Sequence, residues 1–470
     1  MSFDEATDFA RELFVQTVAE PYRTKVVEHL RLPSRAERAK ILQEAHYSPV
    51  YLSAGDVYID FATDSGGAAM SSDQWAALMR GDESYFCSKN FPPLQAAIRE
   101  IMGLQHVVPT HQGRAAENIV MDLFVKPGDV VLSNTHFDTT KAHVETRGAS
   151  AVDLMSDSLW DFREAHPFKG NFDLSKLQAA LARHHDRVRM IVITVLNNFA
   201  ASSPVSLANI RAVRSIADEY QVPVFIDACR IAENAFFIKE REEGYANKSI
   251  SEIVREILSF GRACWMSAKK DAIVNIGGFL ATNDDDLAMR FRERAVLYEG
   301  FYTYGGLARR DLEAMAIGLR EGVDESYLRH RTGLVRYLGE QMEAAGVVVS
   351  KPIGGSGVFA DIGSIYPHLE SERNPGIALF CDLYLEGGIR AAGVPFPVRT
   401  VSPRDGSFVD KLFNFTRFAV PRRVYSKSHM DYAVGMLARV KDNAPAQKGY
   451  RLVSAPEVLG HFFAKFVPYG

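Results

Sequence analysis

Short apolar runs recur through the middle of this chain, at residues 130–133, 151–154, 188–195, 222–227, 263–266 and 273–281. Each reads as a strand, and the stretches between them, such as 174–184, 207–220 and 251–258, carry the apolar spacing of amphipathic helices. Strands that are apolar almost throughout and alternate with helices predict a largely parallel sheet covered on both faces, an α/β fold. Helices are expected at 285–297 and over 307–346, the last part of which, 327–346, leads into a second domain. From residue 347 the pattern changes to short strands (347–350, 358–361, 413–420) flanking helices at 377–386 and 429–440, a smaller α+β domain. The N-terminal segment holds helices near 4–19 and 35–45 and a strand near 57–59. The expected organisation is a segment 1–60 packing with the small domain, a large domain 61–325 and the small domain 326–470. The Pro/Gly-rich stretch 393–406 is expected to be a mobile loop.

At 470 residues the chain can bury a large core, and 47% hydrophobic with 24% charged residues is ordinary for a globular protein. A net charge of −4 without a basic stripe argues against nucleic acid and anionic membrane as partners. No apolar run approaches the ~20 residues of a membrane span. The acidic start, Met1-Ser2-Phe3-Asp4-Glu5, lacks the apolar core of a signal peptide. Cys87, Cys229, Cys264 and Cys381 form no CxxC pair, which fits a reducing, cytoplasmic setting.

Candidate chemistry sits at strand ends. Asp227 closes the run 222–226, and Ser267-Ala268-Lys269-Lys270-Asp271 follows the run 263–266. A carboxylate and a lysine at the ends of successive strands match the needs of pyridoxal phosphate: covalent attachment through the lysine, and a carboxylate to hold the proton on the pyridine nitrogen. Thr110-His111-Gln112-Gly113-Arg114 opens the helix 115–124, and N–H groups at a helix start bind phosphate. Arg417 lies in an alternating strand; a solvated outer face and an interdomain cleft, where it would bind a substrate carboxylate, accommodate it equally. Ser267-x-x-Lys270 also matches the S-x-x-K of penicillin-recognising enzymes, but the S-D-N and K-T-G partners are absent. Dinucleotide, Walker A and H-E-x-x-H motifs are absent too.

Together these stretches resemble the tryptophanase and tyrosine phenol-lyase family of β-eliminating lyases. The matching segments are Thr63-Asp64-Ser65-Gly66, Gly81-Asp82-Glu83-Ser84-Tyr85, 109–118, Pro204-Val205-Ser206-Leu207-Ala208-Asn209, 233–239, 267–271, Tyr304-Gly305-Gly306-Leu307, Pro421-Arg422-Arg423-Val424-Tyr425 and His429-Met430-Asp431, in order over nearly the full length. The resemblance implies a pyridoxal-phosphate-dependent transferase-like fold of type I with a mostly parallel seven-stranded sheet. It implies that Lys270 carries the cofactor and shuttles the α-proton, that Asp227 pairs with the pyridine nitrogen, Arg230 with the ring oxygen, and that Phe137 stacks on the ring. Gln112, Gly113, Ser267 and Lys269 would hold the phosphate, with Arg114 close by. Arg417, Asn198, Thr63 and Ser65 would bind the substrate carboxylate. Tyr85 would protonate the leaving group, and Tyr304 would reach a neighbouring subunit's cofactor site. Glu83 with the main-chain oxygens of Gly66 and Asn275 would bind potassium at a subunit interface of a homotetramer.

The same resemblance bears on the leaving group. Asp138 and His461, followed by Phe462, match the indole-lyase pattern, and Val394 stands where phenol lyases carry an arginine. These positions favour L-tryptophan, cleaved to indole, pyruvate and ammonia. Tyrosine, a modified aromatic amino acid or an S-substituted cysteine under the same chemistry, a general aminotransferase, and a non-catalytic family member are the rivals. Phe86, Cys87, Ala201, Ser202, Ser203 and Tyr302 depart from the family pattern and are expected to reshape the pocket.

Overall fold

The computed structural model describes residues 19–393, 396–413 and 415–470. The expected helix 4–19 and Val394 therefore lie outside the described residues, Ala19 apart. In chain order the strands that position the site are β1 (Ile59–Phe61), β2 (His106–Thr110), β3 (Val130–Ser133), β4 (Ser150–Asp153), β5 (Val188–Thr194), β6 (Val224–Asp227), β7 (Ala263–Ser267), β8 (Gly278–Thr282), β9 (Gly357–Asp361), β10 (Ile389–Gly393), β11 (Phe396–Val401), β12 (Phe408–Phe413), β13 (Phe415–Ala419), β14 (Tyr450–Ser454) and β15 (Lys465–Pro468).

A seven-stranded sheet runs in the order β2-β8-β7-β6-β5-β3-β4, and only β8 opposes its neighbours. Both faces are buried, which explains the continuous apolar runs. Along β5, Met190 and Val192 enter one core while Ile191 and Ile193 enter the other; Phe225 and Trp265 line up with the first face, Ile226 and Met266 with the second. Side chains alternate across a strand, so a strand buried on both faces needs apolar residues at every position.

A second sheet, β1-β10-β13-β9, has its own core. The N-terminal stretch supplies β1, which pairs in parallel with β10, and the helix Arg35–Glu44, whose Leu42 enters that core. Local chemistry sets the helix starts: Ser34 with Glu37, Ser71 with Gln74 and Ser249 with Glu252 form capping boxes. Ser206 of the Pro-Val-Ser segment caps the helix Leu207–Glu219, so that segment is structural rather than chemical.

Several expectations change. The strand expected over 273–281 begins only at Gly278, because Ile273 takes a left-handed φ of 52° and the Asn275 amide is drawn to the carbonyls of Gly66 and Ala68. The helix expected over 307–346 is two helices, Arg310–Gly322 and Glu325–Ala344, the second capped by Asp324. The expected strand 347–350 is a single bridge from Val349 to Ala360. The expected mobile loop 393–406 contributes β11, paired throughout with β12; Val398 and Thr400 alternate inward, and the turn is held by Arg183 on the Asp405 carbonyl (2.8 Å). The period-two pattern there is masked by three prolines, and a proline is tolerated where no ladder donor is needed.

Two helices clasp the turn that follows Lys270. Gln74 donates to the carbonyls of Ala272, Ile273 and Ala314, each at 3.2 Å. Gly318, in the helix Arg310–Gly322, lies so close that a methyl group there would overlap the Ala272 carbonyl oxygen. Gly318→Ala is therefore expected to cost about 1–3 kcal/mol by overpacking; a denaturant midpoint unchanged from the parent protein would contradict this close approach.

Candidate active site

The carboxyl ends of β5, β6 and β7 open onto a cavity of ≈ 930 Å³ between the two sheets. Ligands bind outside the carboxyl ends of strands in open α/β sheets, and the size suits a cofactor together with a substrate. Lys270 and Asp227, both buried, line it. The Lys270 Nζ lies 5.6 Å from the centre of the Phe137 ring, and Phe137 is the residue before the helix Asp138–Glu145.

One end of the cavity is built for an anion. Gln112 precedes the helix Gly113–Phe124, and at Gly113 a side chain would come within 2.6 Å of the Ser267 Cβ, so the helix start is pressed against the end of β7. Arg114, Lys269 and Lys270 line the same region. Burial, and then the nearby Lys270 and Arg114 cations, hold the Lys269 ammonium below its usual pKa. A cluster of cations at a helix N-terminus, costly to itself, fits a bound phosphate.

Asp227, closing β6, accepts the Cys229 backbone N–H at 3.2 Å. Burial and the Asp227 carboxylate push the Cys229 thiol well above its usual pKa, so Cys229 is an inert neighbour. Arg230, expected at the cofactor ring, gives Nε and Nη2 to Asp64 at 2.8 and 2.7 Å and still lines the cavity. Burial alone would raise the Asp64 carboxyl; Arg230 and Arg422 beside it outweigh that and hold it well below the carboxylate range.

Thr63, Ser65, Asn198 and Arg417 converge on another wall. The Asn198 Oδ1 is buried without a hydrogen-bond partner, and Arg417, which donates to the Ala62 carbonyl at 2.6 Å, has no carboxylate within ion-pair distance among the described residues. Burial lowers the Arg417 pKa. An unpartnered acceptor and an unpaired guanidinium fit the ammonium and carboxylate of an amino acid. Of the two positions left open for Arg417, it takes the cleft. Opposite, His461 Nε2 stands 3.4 Å from Asp138 Oδ2, with Phe462 beside it.

Some expected residues lie elsewhere. Tyr85 is exposed and packs with Phe86, Phe301 and Tyr304, and neither Tyr85 nor Tyr304 lines the cavity of its own chain. The three expected potassium ligands do not meet within the chain. The Asn275 amide donates to the Gly66 carbonyl at 2.8 Å, whereas Glu83 is held by Arg309 and Arg310. A carboxylate already paired with guanidinium does not fit a bare cation. Phe86, Cys87, Ala201, Ser202, Ser203 and Tyr302 do not line the cavity, so within one chain they do not reshape it.

Two features escaped the sequence. Glu117 lines the cavity at 2% exposure and accepts the Thr139 hydroxyl at 2.6 Å. The signal was a lone carboxylate on the buried face of the helix Gly113–Phe124, between Ala116 and Val120. The second is a buried ion network around Arg422, whose guanidinium reaches Asp64 (3.0 Å), Glu233 (2.7 Å) and Asp271 (3.1 Å), with Arg331 also on Glu233 (3.1 Å).

A lysine and an aspartate at strand ends, a cluster of cations at a helix start and an unpaired guanidinium on a facing wall fit a pyridoxal-phosphate enzyme of fold type I. Solved structures with the same fold include threonine aldolase from Leishmania major (TM-score 0.57, 14% identity, 82% of this chain and 99% of that one) and serine palmitoyltransferase from Sphingomonas wittichii (TM-score 0.55, 14%, 94% and 98%). A profile of the family described as beta-eliminating lyase matches residues 60–435. Curated relatives include a tryptophanase from Salinibacter ruber, 47% identical over 97% of this chain and 96% of that protein, and a tyrosine phenol-lyase from Symbiobacterium thermophilum, 44% identical over 96% and 98%. The chain belongs to the beta-eliminating lyase family. It is a carbon–carbon lyase that works with pyridoxal phosphate.

Burial, and then the neighbouring Asp227 carboxylate, push the Glu117 carboxyl up to about 8, against the pull of Thr139. Its folded pKa exceeds its unfolded one, so its contribution to stability is complete at low pH and is lost as pH rises through about 8. In the cofactor-free protein, Glu117→Gln is expected to leave the melting temperature unchanged at pH 4.5 and raise it at pH 9. A parallel pH profile for the two proteins would refute the assignment.

Proposed function

We propose that the chain cleaves L-tryptophan to indole, pyruvate and ammonia. The carrying observation is the Asp138–His461 pair at 3.4 Å, on a cavity also lined by Phe137, Phe199, Phe359, Phe415 and Phe462. An aromatic wall with one imidazole–carboxylate pair suits a bicyclic arene that offers a single N–H donor. The relatives' names divide between tryptophan and tyrosine, so the choice rests on this pair and on the sequence pattern.

When bound, pyridoxal phosphate supplies an electron sink for the carbanion at Cα. Arg417, Asn198, Thr63 and Ser65 hold the substrate carboxylate and amine and so orient the Cα–H bond. Lys270 takes the α-proton. An aromatic carbon leaves only after protonation, so an acid must reach the ring carbon before the bond to Cβ breaks. Tyr85 serves as that acid from a second copy of the chain, because it does not line its own cavity and stands exposed with Phe86. The proposed assembly is accordingly a homotetramer built of dimers that share active sites. No potassium step enters this reading.

The test is a product assay on the loaded enzyme with L-tryptophan, L-tyrosine and an S-alkylcysteine. Rapid indole and pyruvate from tryptophan support the proposal, whereas phenol from tyrosine at a higher kcat/KM would reverse it. His461→Phe should lower kcat/KM for tryptophan at least tenfold, about 1.4 kcal/mol, yet change S-alkylcysteine turnover less than twofold. Arg417→Ala should raise KM for every substrate by the equivalent of about 2–4 kcal/mol while cofactor affinity holds. Unchanged amino-acid affinity in that variant would remove Arg417 from the carboxylate subsite.

A further inference from the structure

Outside the cavity, a second charged cluster gathers around Glu83. Its Oε2 accepts the Arg309 backbone N–H at 2.9 Å and its Oε1 accepts Arg310 Nη1 at 3.2 Å. The Arg309 guanidinium adds a second positive charge 3.9 Å from Oε2. That guanidinium lies 3.7 Å above the Tyr304 ring and 5.7 Å from the Tyr85 ring. Its side chain is only 18% exposed, and its Nε is buried without a hydrogen-bond partner. Among the described residues, this cation is compensated by the Glu83 carboxylate and by the Tyr304 and Tyr85 rings.

The other half of the expected potassium site is occupied in the same sense. The Gly66 carbonyl accepts the Asn275 side-chain amide at 2.8 Å. Any copy of the chain that presented Glu83 to Gly66 and Asn275 would thus bring together a carboxylate already paired with two arginines and a carbonyl already accepting an amide N–H. An added monovalent cation would meet two guanidiniums already gathered on the one carboxylate.

We propose that Arg309 is the resident cation of this site, fixing Glu83, Tyr304 and Tyr85 relative to one another, and that the enzyme needs no potassium. Arg309 is a positioning residue: it touches Tyr85 and Tyr304, not the substrate. The proposal rests on family membership and geometry, not on which amino acid is cleaved.

The test compares the holoenzyme, and apo-protein titrated with pyridoxal phosphate, in potassium chloride and in tetramethylammonium chloride at equal ionic strength. Cofactor Kd and melting temperature are read alongside turnover of an S-alkylcysteine, so a wrong aromatic substrate leaves the outcome readable. The parent enzyme should vary less than twofold in Kd between the salts. Arg309→Ala should lose at least tenfold in cofactor affinity in tetramethylammonium and recover it in potassium or in millimolar guanidinium. Arg309→Gln, which keeps most of the stem, serves if the alanine variant does not fold. A parent enzyme that loses tenfold without potassium would overturn the proposal, and so would variants that respond to neither salt nor guanidinium.

Discussion

The buried guanidinium of Arg422 is the constraint on which the site depends. It sits after β13 of the smaller sheet and binds three carboxylates from three other places: Asp64 after β1, Glu233 in the helix that begins beside Arg230, and Asp271 next to Lys270. Arg230 and Arg331 complete a set of three guanidiniums and three carboxylates. Burial would lower the Arg422 pKa, but the surrounding carboxylates hold it well above its usual value. Removing one member of such a set leaves a buried charge uncompensated, a cost of about 3–5 kcal/mol. Through Asp64 the network aims Arg230, through Asp271 it pins the Lys270 turn, and through Arg331 and Arg422 it ties the second sheet to the first. The cavity between the sheets is held open by charge as well as by packing.

That network also explains what was legible in the sequence and what was not. The strands at 130–133 and 263–266 and the helices 174–184 and 251–258 follow from period, capping residues and apolar content, all local properties. Lys270, Asp227 and the Gln112–Gly113 turn could be read because each ends an element, where backbone geometry presents a side chain. Asp64, Glu233, Asp271 and Arg422 sat within the family-like segments but gave no local sign of their partners, which lie about 100 to 360 positions away in sequence. Glu117 looked like one polar residue on an apolar helix. The hairpin of β11 and β12 was hidden by prolines, and the split at Ile273 by a left-handed backbone that a β-branched residue rarely adopts.

The positions that depart from the family pattern divide by location. The cavity walls carry Lys270, Asp227 and Arg417, whereas Phe86 and Tyr302 pack through Phe301 on the aromatic surface that carries Tyr85 and Tyr304. In the proposed assembly of shared sites, variation there would act on how one chain completes another's site. Arg309 belongs to that surface, where its guanidinium lies over both the Tyr304 and the Tyr85 rings.

The chemistry of the site is set by which of two adjacent lysines carries the cofactor. Lys270 is buried at the cavity floor, while Lys269 is half-buried in the phosphate cup. Borohydride reduction of the pyridoxal-phosphate-loaded protein, followed by peptide mapping, should place a single phosphopyridoxyl group on Lys270. Its appearance on Lys269, or spread over several lysines, would contradict the assignment of the site.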